Sequence, residues 1–476
     1  MRPEEGSLAL KRLRVSAILR KMIASAFPTD HDFDYHERKG NCPMLRSILR
    51  RGLSVGLCLL LLLILCPLAL AEDDPSVPER KGTAPADGPW LDESFDADGS
   101  GWENPPTQVK TVRIGLSYGD TAATDASFYN TEGQGFRIGV YTPDRSFEER
   151  LRTDSSTLFV YYSRDEAEGL LVYTGRGGQL LYLSGQDESV AFEPLSGLTQ
   201  YGEDTYRGGF ECHKMPERRM NVINCVDLED YVKGVIPYEM AWSWPMEALK
   251  AQAVAARTYV VYNQESYPEE FFDLTDDTYS QVYRGTVWAR ANTDEAVDAT
   301  AGQLLRYQGE VCQIYYFAAD GGSTEDGKYT FGADRPYLCG KLDPFECAVD
   351  YSYRTWSERL SPDRISSILR HRGYEFGQLS KLEPVYSTVG NVIAIRYTDQ
   401  EGRELLVEGK DCYLMLHLYN CHFTVRQEDW GTYVFEGSGL GHNCGMSQWG
   451  AKAMDEVYGY DYRQILAFYF TGAYVA

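Results

Sequence analysis

The chain has 476 residues, of which 24% are charged and 43% hydrophobic. That is enough apolar material for two domains with cores and too much for a disordered protein. Its formal net charge is −24 and it carries no basic stripe or nucleic-acid motif, which excludes a nucleic-acid partner on electrostatic grounds. The same acidity makes a poor match for anionic membrane surfaces.

Residues 1–43 read as an extension preceding a later true start at Met44. In residues 44–71, Arg46, Arg50 and Arg51 precede the apolar run Gly52 to Ala71, and Ala69-Leu70-Ala71 meets Glu72-Asp73-Asp74. This is the layout of a signal peptide, cleaved before Glu72. The run is also long enough to remain as a membrane anchor, so the expected location is the cell envelope or beyond. Cys66 follows Ile64 and Leu65 and precedes Pro67, a poor setting for lipidation.

Residues 72–108 are rich in Pro, Gly, Asp and Glu without periodicity and read as a flexible linker. From 109 to 205, VRIGLSY, GFRIGVY, TLFVYYS and LLVYTG alternate apolar and polar residues between Gly- and Asp-rich turns, predicting a small β-rich domain. Its role is that of a spacer or a glycan-binding module. Residues 206–476 add strands around Tyr206–Cys212 and Met220–Cys225, a helix from Pro245 and a short helix over Thr293–Thr300. A hairpin follows at GQLLRYQGEVCQIYYFAA, another joins VGNVIAIRYTD to ELLVEG, and a closing helix spans Tyr462–Phe470. The predicted class is α+β: a β-rich N-terminal domain followed by an α+β catalytic domain. Cys212 and Cys225 flank the turn-like HKMPERR and could pair across a hairpin. Cys339 and Cys347 bracket a short closable loop, and free thiols are the plain alternative for all of them.

The densest chemistry lies between Val235 and Tyr259, VIPYEMAWSWPMEALKAQAVAARTY. The pattern places Glu239 at the end of an apolar strand, among Tyr238, Met240, Trp242 and Trp244. Such surroundings desolvate a carboxyl and raise its pKa, as a general acid requires. Pro245 suits the first turn of the next helix, with Ser243 or Trp244 at the cap, and Ala248, Ala251, Ala253, Ala255 and Ala256 keep that helix slim. Arg257 sits in a run whose neighbours look buried, so it pairs with a carboxylate or reaches a cleft. The plain alternative for Glu239 is a carboxylate capping the following turn.

This stretch resembles the signature of the bacterial stage II sporulation protein D and amidase-enhancer family (SpoIID/LytB). Three further segments fit in order: LEDYV (Leu228–Val232), ADGGSTE (Ala319–Glu325), similar to the family's Gly-Gly-x-Thr loop, and GLGHNCGMSQWGA (Gly439–Ala451), similar to its GHGVGMSQxGA motif. Asn443 and Cys444 depart from the last motif, and Ala319 and Asp320 from the second. The resemblance implies lytic transglycosylation of peptidoglycan glycan strands, in which the 6-hydroxyl of N-acetylmuramic acid attacks its own anomeric carbon. One carboxyl then suffices, where glycoside hydrolysis ordinarily needs two.

On this reading Glu239 is catalytic. Arg257, Gln281, Tyr283, Gly322, Thr324, His442, Ser447 and Gln448 are candidates for substrate binding. Against it, His442 and Ser447 could serve a tight structural turn, and any one of 35 tyrosines is more often packing. Some relatives are thought to hold zinc through His and Cys. Here no histidine lies between His213 and His371, and Cys339 and Cys347 offer only two ligands, so no metal or other cofactor is expected. The expected partners are glycan strands and, in an alternative reading, a cell-wall amidase that the protein activates without catalysis. A third reading is a surface protein in which the motifs serve packing alone.

Overall fold

Apolar alternation builds the first elements of the computed structural model, which describes residues 109–162, 169–185, 188–428 and 431–476. The extension, signal and linker assigned to residues 1–108 lie outside the described residues. The strands are β1 (Thr111–Ser117), β2 (Asp125–Asn130), β3 (Phe136–Tyr141), β4 (Phe147–Thr153), β5 (Thr157–Tyr162), β6 (Leu170–Tyr173), β7 (Leu180–Leu183) and β8 (Val190–Pro194). They continue with β9 (Thr199–Tyr201), β10 (Asp204–Tyr206), β11 (Gly209–Met215), β12 (Arg219–Asp227) and β13 (Leu274–Thr275). Along β1, Val112 and Ile114 are fully buried while Thr111 and Arg113 are partly exposed, the period-two pattern of a strand with one face on a core.

These strands form two sheets, ordered β13-β1-β12-β11-β8-β3-β4 and β10-β9-β2-β5-β6-β7. The α+β class, with a β-rich N-terminal region followed by α+β segments, is therefore observed. The expected boundary at 205–206 is not: β10 straddles it, and β1, β3, β4 and β8 share one sheet with β11, β12 and β13. Val112, Phe128 and Phe192 belong to the same buried cluster as Val235, Ala251 and Ala255. Burying both regions in one core keeps the β segment from being a spacer that could be removed intact. A separate core gathers Trp356, Ile365, Leu369, Ile395, Tyr397 and Phe435. It is built on the three-stranded sheet of Trp356–Leu360, Tyr433–Gly437 and Phe423–Gln427, and on the hairpin Val392–Asp399 with Glu404–Glu408.

Two helices differ from the sequence reading. Glu239 ends a helix, α1 (Leu228–Glu239), rather than a strand. Asp227 caps it by accepting from the backbone N–H of Glu229 and Asp230, and those two acids complement the dipole of the first turn. Pro237 falls in the last turn, where it interrupts little; the run Val235–Ile236–Pro237 looks extended only when the cap is overlooked. The next helix, α2 (Met246–Asn263), takes Pro245 itself as its cap residue, in place of Ser243 or Trp244, and continues past Arg257.

The HKMPERR hairpin forms, but without a Cys212–Cys225 bond, and both thiols are free. Cys212 lies opposite Val222 and Cys225 opposite Gly209. The odd offset puts the two sulfurs on opposite faces of the sheet, because side chains alternate along a strand. Cys339 and Cys347 are free as well.

Candidate active site

Helix α1 ends where its last side chain, Glu239, meets segments distant in sequence. The Glu239 Oε1 accepts from the Tyr316 hydroxyl at 3.2 Å, and Oε2 accepts from Gln448 Nε2 at 3.2 Å. Tyr316 stands on a two-residue strand, Tyr316–Phe317, paired in parallel with Met446–Ser447, which brings the tyrosine beside Gln448. Gln281 Nε2 donates to the Tyr316 oxygen at 2.8 Å, and the buried Tyr231 hydroxyl donates to Gln281 Oε1 at 3.2 Å. On the other side, Gln448 Nε2 also reaches Gln252 Oε1 at 3.4 Å. A single relay, Tyr231–Gln281–Tyr316–Glu239–Gln448–Gln252, thus joins α1, α2, the TYSQVY segment, the strand that precedes the Gly-Gly loop and the last Gly-rich motif.

Burial of the Glu239 carboxyl pushes its pKa up to about 7, against the pull of the hydrogen bonds from Gln448 and Tyr316, which favour the ion. No neighbouring charge contributes to the shift. Trp242, expected to desolvate the carboxyl, leaves 49% of its surface in solvent. Tyr316 was not singled out by sequence. The signal available was its place on an alternating hairpin just ahead of the Gly-Gly loop.

The remaining candidates divide. Gln281 and Gln448 join Glu239. Gly322 has φ +123 with open space where a side chain would stand, but its N–H donates to Asp320 Oδ1 at 2.7 Å and its carbonyl accepts from the Asp343 N–H at 2.9 Å, so its backbone serves the loop. Arg257 does not reach the site. It is fully buried in a two-pronged pair with Glu229 (2.8 and 2.6 Å), and its remaining N–H groups meet the carbonyls of Gln303 and Val297. Tyr283 is 1% exposed, donates to Asn224 Oδ1 at 2.9 Å and packs on Tyr231, over a glycine, Gly234, that leaves it room. Thr324 is buried, with its hydroxyl accepting from the Lys341 N–H. His442 packs against the rings of Tyr315, Phe317 and Phe331. Its Nδ1 accepts from the Cys444 N–H, and burial lowers its pKa to about 3, so it is neutral. Ser447 caps a helix by accepting from the Gly450 N–H and donates to Glu346 at 2.6 Å.

Behind the loops lies a cluster sequence reasoning missed: oxygens of Asp320, Asp343 and Glu346 lie within 4.8 Å of one another. Glu346 has no lone pair to spare for a cation. It accepts from the backbone N–H of Asp320 and Gly321 and from the hydroxyls of Tyr351 and Ser447. Asp343 accepts from Phe345, Glu346 and Tyr469. Burial, then the charges of Asp343 and Glu346, raise the Asp320 pKa well above the usual range. A proton on Asp320, shared with Asp343, gives its otherwise unpartnered Oδ2 a hydrogen bond. The cluster therefore ties the Gly-Gly loop to the Met446–Ser447 strand.

Comparison with known proteins agrees with this convergence of motifs. The family model described as Stage II sporulation protein (SpoIID) matches residues 216–307, which include α1 and α2. An uncharacterised protein of Brachyspira hyodysenteriae is 33% identical over 299 residues, covering 60% of this chain and 76% of the relative. Stage II sporulation protein D of Bacillus amyloliquefaciens is 30% identical over 249 residues, covering 48% and 69%. The amidase enhancer of Bacillus subtilis is also 30% identical, over 291 residues, and the match spans 51% of this chain but only 39% of that relative. With its shared signature folded around Glu239, the chain belongs to the SpoIID family.

Proposed function

We propose that the protein is a peptidoglycan lytic transglycosylase acting in sporulation-linked wall remodelling. The observation that carries this reading is a carboxyl held by Tyr316 and Gln448 and raised to about 7, with no charged neighbour among the described residues contributing to its shift. An enzyme with its own carboxylate nucleophile would place a second acid about 5 Å away, which would perturb the first. With one acid, the nucleophile comes from the substrate. Glu239 gives its proton to the glycosidic oxygen as the C1–O bond breaks. The muramyl 6-hydroxyl forms the new bond to C1, and its proton returns to the Glu239 carboxylate. Tyr316 and Gln448 hold the carboxylate through both transfers. The half-exposed indoles of Trp242 and Trp288 offer faces on which sugar rings can lie. Mass spectrometry of purified glycan strands incubated with the protein tests the reading. Anhydro-muramyl ends support it, and reducing ends or intact strands refute it.

The name of the Bacillus subtilis relative, amidase enhancer, favours a second reading: a glycan-binding activator of an N-acetylmuramoyl-L-alanine amidase. In that case strands stay intact and an added amidase works faster. Either reading requires export, which we assign to residues 44–71. N-terminal sequencing of protein from the envelope should begin at Glu72, or at full length in membranes if the apolar run is retained. A cytoplasmic chain starting at Met1 would contradict export.

A further inference from the structure

Away from Glu239, a groove of about 710 Å³ opens in the segment built on the Trp356 core. It is lined by Trp356, Ser357, His422, Thr424, Glu436 and Ser438 among others, and Glu239 is not among them. Its volume is that of a small-ligand site. A side chain at Gly437 would run into the Trp356 indole, so this glycine allows the ring to lie across the sheet beneath the groove.

The state of His422 follows from its neighbours. Asn391 is fully buried, and its Nδ2 faces two carbonyls, those of Ser323 (3.4 Å) and Thr324 (3.1 Å). The amide orientation is thereby fixed, and Oδ1 must face His422 Nδ1 at 2.8 Å. An oxygen there requires the proton on Nδ1. Burial lowers the His422 pKa, so the ring is neutral and Nε2 carries a lone pair. Nε2 has no hydrogen-bond partner among the described residues and is not sealed from solvent. The groove therefore presents acceptors: this lone pair, the Glu436 carboxylate, which is half exposed and only loosely paired with Arg426 at 3.4 Å, and the hydroxyls of Ser357, Thr424 and Ser438. Acceptors set at the edge of a largely apolar lining, which includes Trp356 and Phe423, match a saccharide, which offers hydroxyl and amide donors at its rim and C–H groups on its face.

The groove is also wired to the site. The Ser323 hydroxyl, just after the Gly-Gly pair, lies 3.2 Å from His422 Nδ1, and a side chain at Gly321 would meet the backbone of Ser438. Each Gly-rich segment thus has one end at this groove and the other at a partner of Glu239, Tyr316 or Gln448. We propose that this groove is a second saccharide subsite, in which His422 Nε2 and Glu436 accept hydrogen bonds from the hydroxyl or acetamido groups of an N-acetylated disaccharide stretch of the same strand. The inference rests on the glycan reading above and adds a place where strand length is sensed.

The test uses the full chain carrying Glu239→Gln, labelled at its histidines, with an N-acetylglucosamine tetramer as probe. The His422 imidazole signal should move on titration, and about fivefold more tetramer should be needed for the same response once Glu436→Gln is added. In the active protein, His422→Phe and Glu436→Gln should each raise KM for long strands about fivefold, the scale of one hydrogen bond, and leave kcat unchanged. A His422 signal that ignores the tetramer, with KM unaltered in variants that melt like the parent, overturns the proposal. A response to free stem peptide but not to the tetramer overturns the saccharide assignment. If the wild type forms no anhydro product while the tetramer still shifts His422, the function reading fails and the subsite stands.

Discussion

With its pKa at about 7, Glu239 keeps a proton at pH values where an ordinary glutamate has lost it. The protonated form is the one that can serve the leaving oxygen, so kcat/KM should fall about tenfold per unit as pH rises above about 7. The same shift has a sign for stability. The folded pKa lies above the unfolded one, so the native state binds more protons between 4.5 and about 7 and loses stability as pH climbs through that window. Glu239→Gln removes that penalty. Its melting temperature relative to wild type should therefore be higher at pH 8 than at pH 4, with a difference on the order of 2–3 kcal/mol in chemical denaturation. A gap that does not change with pH would mean the carboxyl ionises normally. Tyr316→Phe tests the partner. Its hydroxyl favours the ionised form, so the alkaline limb of the rate profile should move to higher pH as activity drops. The variant also leaves Gln281 Nε2 short of its acceptor at a cost of about 1–3 kcal/mol.

At the scale of elements, Arg257 and Glu229 tie α1 to α2 away from the site, in addition to the bridge that Gln448 makes between Glu239 and Gln252. Arg257→Met should destabilise the fold by about 1–3 kcal/mol, because Glu229, a quarter exposed, keeps only the Gly302 N–H while the carbonyls of Gln303 and Val297 lose their donor. Activity per folded molecule should survive at low temperature; loss of substrate affinity in a fully folded variant would restore Arg257 to the binding site. This arginine shows what sequence could and could not convey. Its burial was legible from the alanines around it, whereas the choice between a carboxylate partner and the cleft was not, because the partner lies 28 positions away. Glu239 and Gln448 were legible because they lie in dense motifs. Tyr316 was not, because it gains its place only from a two-residue parallel pairing with Met446–Ser447. Helix α1 was misread as a strand because Pro237 and the apolar residues before it outweighed the Asp227 cap. The strands β1, β3, β5 and β6 were legible in their alternation, since a half-buried sheet imposes period two.

Across the whole molecule, the shared sheet and core bind the first β segment to the helices that carry Glu239. That union was hidden from sequence because β1 pairs with β12 and β13, partners set by long-range register rather than by local pattern. The consequence is a frame in which Tyr316 and Gln448 meet a single carboxyl, and the central claim is that this carboxyl alone does the proton chemistry. The direct measurement is mass spectrometry of glycan strands treated in parallel with wild type and with Glu239→Gln, alongside strand binding by both. The account predicts anhydro-muramyl products from the wild type, none above background from the variant, and equal binding. Anhydro products from Glu239→Gln at near wild-type rate would contradict it.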